Sequence, residues 1–174
     1  MTEAERRRAF NEIYAEYDRR LFAYCLYVLG DRDKAKDVFQ NIFIKVYKSI
    51  HALRDTEKLA HWLFRIARNE CLNAMKSIQR KENRYVRIDK SENSPSLAAE
   101  GSAEYTDEIE HVRWGLQQLP PEYREALVLA EFEGYSLKEI AELTGASLSN
   151  VKVRIFRAKK KLHTILQPIL NDYD

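Results

Sequence analysis

Apolar residues recur every three or four positions along most of the chain, which is the period of an amphipathic helix. Strand-like alternation is absent over useful lengths. This pattern predicts an all-α protein with two small helical domains, residues 1–86 and 106–174. A flexible linker is predicted over residues 87–105, because this stretch is rich in Ser, Ala and Glu and contains Pro95 and Gly101.

The last predicted helix has two different faces. On a wheel of about 100° per residue, its apolar residues form a core stripe: Leu148, Val151, Ile155, Ala158 and Leu162. The other side and its flanks carry bases, small polar groups and two apolar groups: Ser149, Asn150, Lys152, Val153, Phe156, Arg157 and Lys160. Such residues contact phosphates, base edges and thymine methyls in a major groove. A merely solvated face, the alternative, explains Phe156 and Val153 poorly.

A helix-turn-helix is predicted around the start of this helix. Ser136 and Glu139 have the spacing of a capping box, Gly145 ends the short helix that follows, and Ser147 caps the last helix. We therefore expect the last helix to bind duplex DNA.

The third predicted helix also has an apolar side, which includes Leu63, Ala67 and Cys71. Its other side carries a tryptophan, amides and bases: Trp62, Arg65, Asn69, Asn73, Lys76 and Arg80. Stacking, phosphate contact and base-edge bonding are how proteins hold single-stranded nucleic acid. The alternative, that Trp62 folds back onto a neighbouring helix, stays equally open.

The second predicted helix has a core stripe of Ala35, Val38, Phe39, Ile42, Val46 and Ile50. Its opposite side is not basic and consists of Asp37, Gln40, Asn41, Ile44, Tyr47 and Lys48. Apolar and aromatic groups ringed by polar ones indicate a protein partner. A scattered exposed isoleucine is the alternative and has equal weight.

Three motifs in order resemble those of bacterial sigma factors. They are "AKDVFQNIF" (region 2), "WLFRIARNECLN" (the segment that follows) and "LPPEYREALVLAEFEGYSLKEIAELTGASLSNVKVRIFRAKKKL" (region 4). The chain shows no acidic N-terminal region and no region 3 domain. This two-domain minimum is similar to the extracytoplasmic-function (ECF) group of the sigma-70 family.

The resemblance implies a role for each face. The β′ clamp helices of core RNA polymerase would bind Asp37, Gln40, Asn41, Phe43, Ile44 and Tyr47. The −10 promoter element, as single-stranded DNA, would be melted and read by Trp62, Arg65, Asn69, Asn73, Lys76 and Arg80. The −35 element, as a duplex, would be read by Ser149, Asn150, Lys152, Val153, Phe156, Arg157 and Lys160. The resemblance also implies contact with the β flap, an anti-sigma factor as partner and a stress response.

Other features exclude some classes of function. Cys25 and Cys71 lie among apolar residues and are expected to be reduced core thiols. No Cys/His spacing suits a metal, and no nucleophile–base set or phosphate-binding glycine loop indicates an enzyme or a cofactor. No signal core or membrane-spanning run is visible, so a cytoplasmic protein is expected. The alternative function is an autonomous transcriptional regulator whose N-terminal half senses a ligand or receives a signal.

Overall fold

The computed structural model describes residues 2–53, 56–86 and 107–171, and no residue in these ranges lies in a strand. The N-terminal half has three α-helices and two short 3₁₀ turns: α1 Glu3–Leu29, α2 Arg32–Ser49, Ile50–Ala52, Thr56–Lys58 and α3 Leu59–Val86. The C-terminal half has four α-helices: α4 Asp107–Gln117, α5 Pro121–Leu127, α6 Leu137–Thr144 and α7 Leu148–Asn171. The predicted all-α class is confirmed, whereas the predicted linker lies outside the described residues.

The junction of α1 and α2 is a tight reversal set by two residues. Gly30 adopts a φ of 73°, and its N–H donates a 2.8 Å hydrogen bond to the carbonyl of Leu26. This left-handed conformation is easy for glycine, and it ends α1. Asp31 then caps α2, because its carboxylate accepts from the backbone N–H groups of Asp33 and Lys34, each at 3.0 Å. The two helices therefore pack side by side.

The predicted helix-turn-helix is confirmed in α6 and α7. The Ser136 N–H donates to the Glu139 carboxylate at 2.8 Å, and the Glu139 N–H donates to the Ser136 hydroxyl at 3.3 Å. Gly145 ends α6 with a φ of 70°. The Ser147 hydroxyl caps α7 by accepting from the backbone N–H of Asn150 at 3.2 Å. These local caps thus fix the residue at which α7 begins and the direction in which α7 leaves the turn after α6.

A π-helical turn follows α5 and spans Val128–Phe132. The backbone N–H of Glu133 donates to the carbonyl of Val128 at 3.2 Å, which closes the wider turn. Gly134 continues the chain with a φ of 73°. The wider turn changes the direction of the side chains next to it. Here Phe132 and Glu133 both contact residues of α1.

The two halves pack against each other around one continuous core. Helix α1 contacts α4, α5 and the π-helical turn, and α3 contacts α6. The buried Arg124 joins the ends of two helices, because its guanidinium donates to the carbonyl oxygens of Val28 at 2.6 Å and Leu116 at 2.9 Å. Burial of this guanidinium lowers its pKa, and hydrogen bonds to carbonyls offset the cost of taking it out of water.

Candidate functional site

The outward side of α2 presents a polar rim around an apolar groove. Asp37, Gln40 and Asn41 are exposed, and Ile44 has 51% of its surface exposed. The adjoining groove has a volume of about 500 Å³ and is lined by Phe10, Tyr14, Phe39, Gln40, Phe43, Ile44, Tyr47 and Lys48. We call Asp37, Gln40, Asn41, Ile44 and Tyr47, with this groove, the α2 face. An apolar floor with a polar rim is the usual composition of a protein-binding surface.

Phe43 and Phe39 differ from their predicted places on α2. The family resemblance includes Phe43 in the polymerase-binding set, but only 5% of its surface is exposed, whereas Phe39 of the predicted core stripe is half-buried. The reason is α1, whose Tyr14 ring lies 4.7 Å from the Phe43 ring between centroids. Phe43 therefore lines the groove from its buried side.

The first turns of α1 fix Tyr47 at one end of the groove. Its hydroxyl donates to the Glu3 carboxylate, and this hydrogen bond lowers the pKa of Glu3. The Arg6 guanidinium lies 4.9 Å from the Tyr47 ring centroid, and the Phe10 ring meets it edge-on at 5.3 Å. The sequence reading missed Phe10 and Tyr14 as part of this surface. They lie on the same side of α1 as the buried Ile13, Tyr17 and Leu21, so their spacing is that of core residues and gives no signal of a surface groove.

The outward side of α3 carries a track of amides and bases. Arg65, Asn69, Asn73, Lys76 and Arg80 are all exposed, as predicted. At 1.5 Å per residue, this track is about 22 Å long. Trp62, at its N-terminal end, is half-buried and packs against the core. Trp62 is therefore neither fully outward nor folded completely onto a neighbouring helix. One part of its side chain is held by the protein, and another part is accessible. We call these six residues the α3 face.

The outward side of α7 is basic and partly apolar. All seven residues predicted on it are exposed, and we call them the α7 face: Ser149, Asn150, Lys152, Val153, Phe156, Arg157 and Lys160. Phe156 is 69% exposed. Arg157 contacts the Tyr123 hydroxyl at 3.3 Å, a weak bond at an exposed position. Because α7 contains no acidic residue, its surface favours a negatively charged partner.

Leu148 corrects the predicted core stripe of α7. Val151, Ile155 and Ala158 are buried and Leu162 is half-buried, but Leu148 is 46% exposed. As the first residue of α7 it lies beyond the edge of the core. Leu148 is therefore a third exposed apolar residue of α7, in addition to Val153 and Phe156.

Other kinds of site find no support in the part of the chain that the structure describes. Within it, no three or more His, Cys, Asp or Glu residues are grouped as a metal site would need. Among the described helices, none has both the length and the apolar character that a membrane crossing requires. Cys25 and Cys71 are free thiols and both are buried, as predicted.

These surfaces define a class of protein. A helix-turn-helix with an exposed basic recognition helix, a second basic helix that bears amides, and a separate apolar groove are features of a nucleic-acid-binding protein with a protein partner. The comparisons agree, because the family model "Sigma-70 region 2" matches residues 13–81 and the family model "Sigma-70, region 4" matches residues 115–162.

Whole-length relatives identify the family more closely. The RNA polymerase sigma-H factor of Pseudomonas aeruginosa is 32% identical over 95% of this chain and 90% of its own length. The ECF RNA polymerase sigma factor SigM of Bacillus subtilis is 32% identical over 93% of this chain and 98% of its own length. The chain therefore belongs to the sigma-70 family of RNA polymerase sigma factors, in its ECF group, and serves in promoter recognition at the initiation of transcription.

A solved structure shows the same fold across both halves. The sigma factor RpoE of Bartonella quintana, solved in complex with the anti-sigma factor NepR, superposes with a TM-score of 0.75 at 25% identity. The match covers 91% of this chain and 97% of that one. Since it extends over both halves at once, the halves of that sigma factor are arranged in a similar way.

Proposed function

We propose that this sigma factor is a dissociable, non-catalytic specificity subunit that directs bacterial core RNA polymerase to −35 and −10 promoter elements in the cytoplasm. The observation that carries the proposal is the simultaneous exposure of three chemically different faces on three helices. A regulator that acted alone would need a DNA-binding helix, but it would not need the α2 face or the α3 face.

The α7 face suits the duplex −35 element. A recognition helix enters the major groove with its N-terminal turns, and the exposed residues of α7 begin there with Leu148, Ser149 and Asn150. Arg157 can form a bidentate contact with guanine, while Val153 and Phe156 can contact thymine methyls.

The α3 face suits the −10 element as unpaired DNA. Asn69 and Asn73 can bond to base edges that become accessible only when bases leave the stack. The basic residues of the face follow the phosphates, and the accessible part of Trp62 provides a stacking surface. Capture of flipped bases stabilises the melted promoter, so the same face reads the sequence and promotes opening.

The α2 face would bind the β′ clamp helices, and the C-terminal half would contact the β flap. A groove of about 500 Å³ with aromatic walls accepts apolar side chains from a helix. Gln40, Asn41 and Asp37 form a polar rim that can fix the register. We also expect an anti-sigma factor to hold this chain inactive until a signal or stress releases it, as the complex of RpoE with NepR suggests.

Run-off transcription with purified core polymerase and a promoter library tests the proposal. We expect discrete transcripts that require the added chain, from templates that share two short elements at fixed spacing. A pull-down of core polymerase without DNA should also succeed. An autonomous regulator would bind promoter DNA, leave core polymerase in the supernatant and give no new start site, and that outcome would overturn the proposal.

A further inference from the structure

A tyrosine of α5 contacts one of the arginines on the α7 face. Arg157 donates from its Nη1 to the hydroxyl oxygen of Tyr123 across 3.3 Å, although the two residues are 34 positions apart in the chain. Helix α5, which bears Tyr123, packs against α7. The α7 face is therefore in contact with a side chain that the helical pattern of α7 cannot show.

The ring of Tyr123 has a fixed position at the edge of the α7 face. It is half-buried and packs against the hydrophobic core. The backbone N–H of Tyr123 donates to the carbonyl of Pro120 at 2.9 Å, in the first turn of a helix that begins at Pro121. A tyrosine side chain turns about only two torsions, so a ring that is packed in this way leaves its hydroxyl little freedom. The hydroxyl is thus a fixed hydrogen-bond acceptor.

Arg157, in contrast, is exposed and has a long side chain with many rotamers. Such a side chain loses conformational entropy when it is fixed against a base. A contact that already restricts the guanidinium in the free chain lowers this cost of binding. Because the bond to Tyr123 is weak, it can restrict Arg157 without holding it away from DNA.

The nitrogen that makes the bond is important for base recognition. Arginine has five N–H donors, and a bidentate contact with O6 and N7 of guanine uses two parallel ones. Tyr123 accepts from Nη1. The edge of the guanidinium formed by Nε and Nη2 keeps both of its parallel donors. A bidentate contact with guanine is therefore available while the bond to Tyr123 is in place.

A neighbouring cation of α7 is held by a different kind of partner. Lys159 lies 2.7 Å from the carboxylate of Glu131. A carboxylate neutralises the cation that it binds, so DNA phosphates must compete with it. A phenol hydroxyl carries no charge near neutral pH. Tyr123 can therefore orient Arg157 and leave its positive charge available to DNA.

We propose that Tyr123 is a positioning residue for recognition of the −35 element, which presents the Nε–Nη2 edge of Arg157 to a guanine. The proposal rests on the proposed function of the α7 face and deepens it. Tyr123 acts through Arg157, so it determines how strongly one base pair is preferred and changes little in the general affinity for duplex DNA.

NMR of the Arg157 side chain in the free full chain tests the contact without any partner. Tyr123→Phe keeps the ring and removes only the hydroxyl, and the Arg157 signal is assigned by its loss in Arg157→Ala. We expect the order parameter of the Arg157 Nε–H group to fall in Tyr123→Phe, while the backbone amide signals of α5 and α7 keep their positions. An Arg157 side chain that is equally mobile in both chains would overturn the proposal.

A double-mutant cycle in holoenzyme gives the functional readout. The base pair to vary is the −35 pair at which Arg157→Ala loses its preference. We expect Tyr123→Phe to reduce the discrimination at this pair by about threefold to tenfold, with the affinity for a scrambled element and the salt slope unchanged. In the Arg157→Ala background, Tyr123→Phe should have no further effect.

Glu131→Gln is the matched control, because it breaks another side-chain contact to α7. The freed charge of Lys159 should tighten binding to every duplex alike and leave base preference as it was. Equal effects of Tyr123→Phe with and without Arg157, or a loss shared by all sequences, would overturn the positioning role. If the wild-type holoenzyme prefers no −35 sequence, the proposed function fails, while the NMR comparison still decides whether Tyr123 orders Arg157.

Discussion

The α3 face and the α7 face carry similar residue types but present them in different ways. On α7, Phe156 and Val153 protrude beside the bases, at the free side of a helix-turn-helix. On α3, the one large aromatic, Trp62, is held halfway into the core, and amides and bases follow it along the helix. Residue types alone therefore do not distinguish the proposed duplex reader on α7 from the proposed single-strand reader on α3.

Shape makes the distinction that composition does not. A convex helix with protruding side chains fits a groove, whose base edges lie at its floor. An anchored ring at the end of a polar track suits unpaired bases that stack on it and lie along the helix. The following predictions each change one side of this comparison.

The largest effect is expected from the α2 face, because both proposed DNA readers would depend on its attachment to polymerase. Gln40→Ala combined with Ile44→Ala removes an exposed amide and the most exposed aliphatic group of α2. We expect core polymerase to bind at least about tenfold more weakly, or about 1.4 kcal/mol. A core-binding titration measures this, with helix content checked by circular dichroism.

Lys36→Ala is the control for this change, since Lys36 is exposed on the same helix outside the groove. It should bind core polymerase as the wild type does. Equal affinity of the double variant and this control would remove the α2 face from the account. Another surface of the chain would then have to hold the α3 face and the α7 face on core polymerase.

A smaller effect is expected from Arg157→Ala on the α7 face. A bidentate contact with guanine is worth about 1–3 kcal/mol of discrimination. We expect this variant, in holoenzyme, to lose that amount on the preferred −35 element and little on a scrambled one. Lys160→Ala serves for comparison, because a phosphate contact weakens all sequences alike and lowers the salt slope by about one. If Arg157→Ala behaves in the same way, the arginine contacts phosphate only.

The smallest effect concerns the inner side of α3, opposite the α3 face. Cys71 lies there with its Sγ 3.9 Å from that of Cys25. Their hydrogen bond and burial raise the pKa of the Cys71 thiol. Since the thiolate is the reactive form, we expect both thiols to be reduced and to resist labelling in the native chain. Ser77→Cys, at an exposed position of α3, should label rapidly. Fast labelling of the native pair would reopen a redox role.

Local chemistry explains why the helix ends and most helix faces could be predicted. Gly30, the Ser136–Glu139 capping box and Ser147 act within four residues, so sequence spacing alone shows them. The same holds for the exposed residues of α3 and α7, because a helix of known phase fixes which side each residue occupies. Leu148 departed from its predicted place only because the core ends before it.

Long-range packing explains what the sequence could not show. Phe43 is buried because Tyr14 of α1, far away in the chain, covers it. Glu133 reads as an ordinary surface acid, yet it meets Arg20, a residue 113 positions earlier. The π-helical turn Val128–Phe132 directly precedes Glu133 and helps to place it beside Arg20. The helical period of a sequence shows which side of its own helix a residue occupies. It does not show which residue of a second helix will pack against it.

Permanganate footprinting with two variants tests the central claim that the two faces read different forms of DNA. Asn69→Ala changes the α3 face and Arg157→Ala the α7 face, both at exposed positions. The templates are a full duplex promoter and one that is already melted at −10 and has no −35 element. On the melted template we expect Arg157→Ala holoenzyme to protect the unpaired thymines as the wild type does, whereas Asn69→Ala protects them poorly. If the two variants behave alike on both templates, one shared surface reads the promoter and the separate readers do not exist.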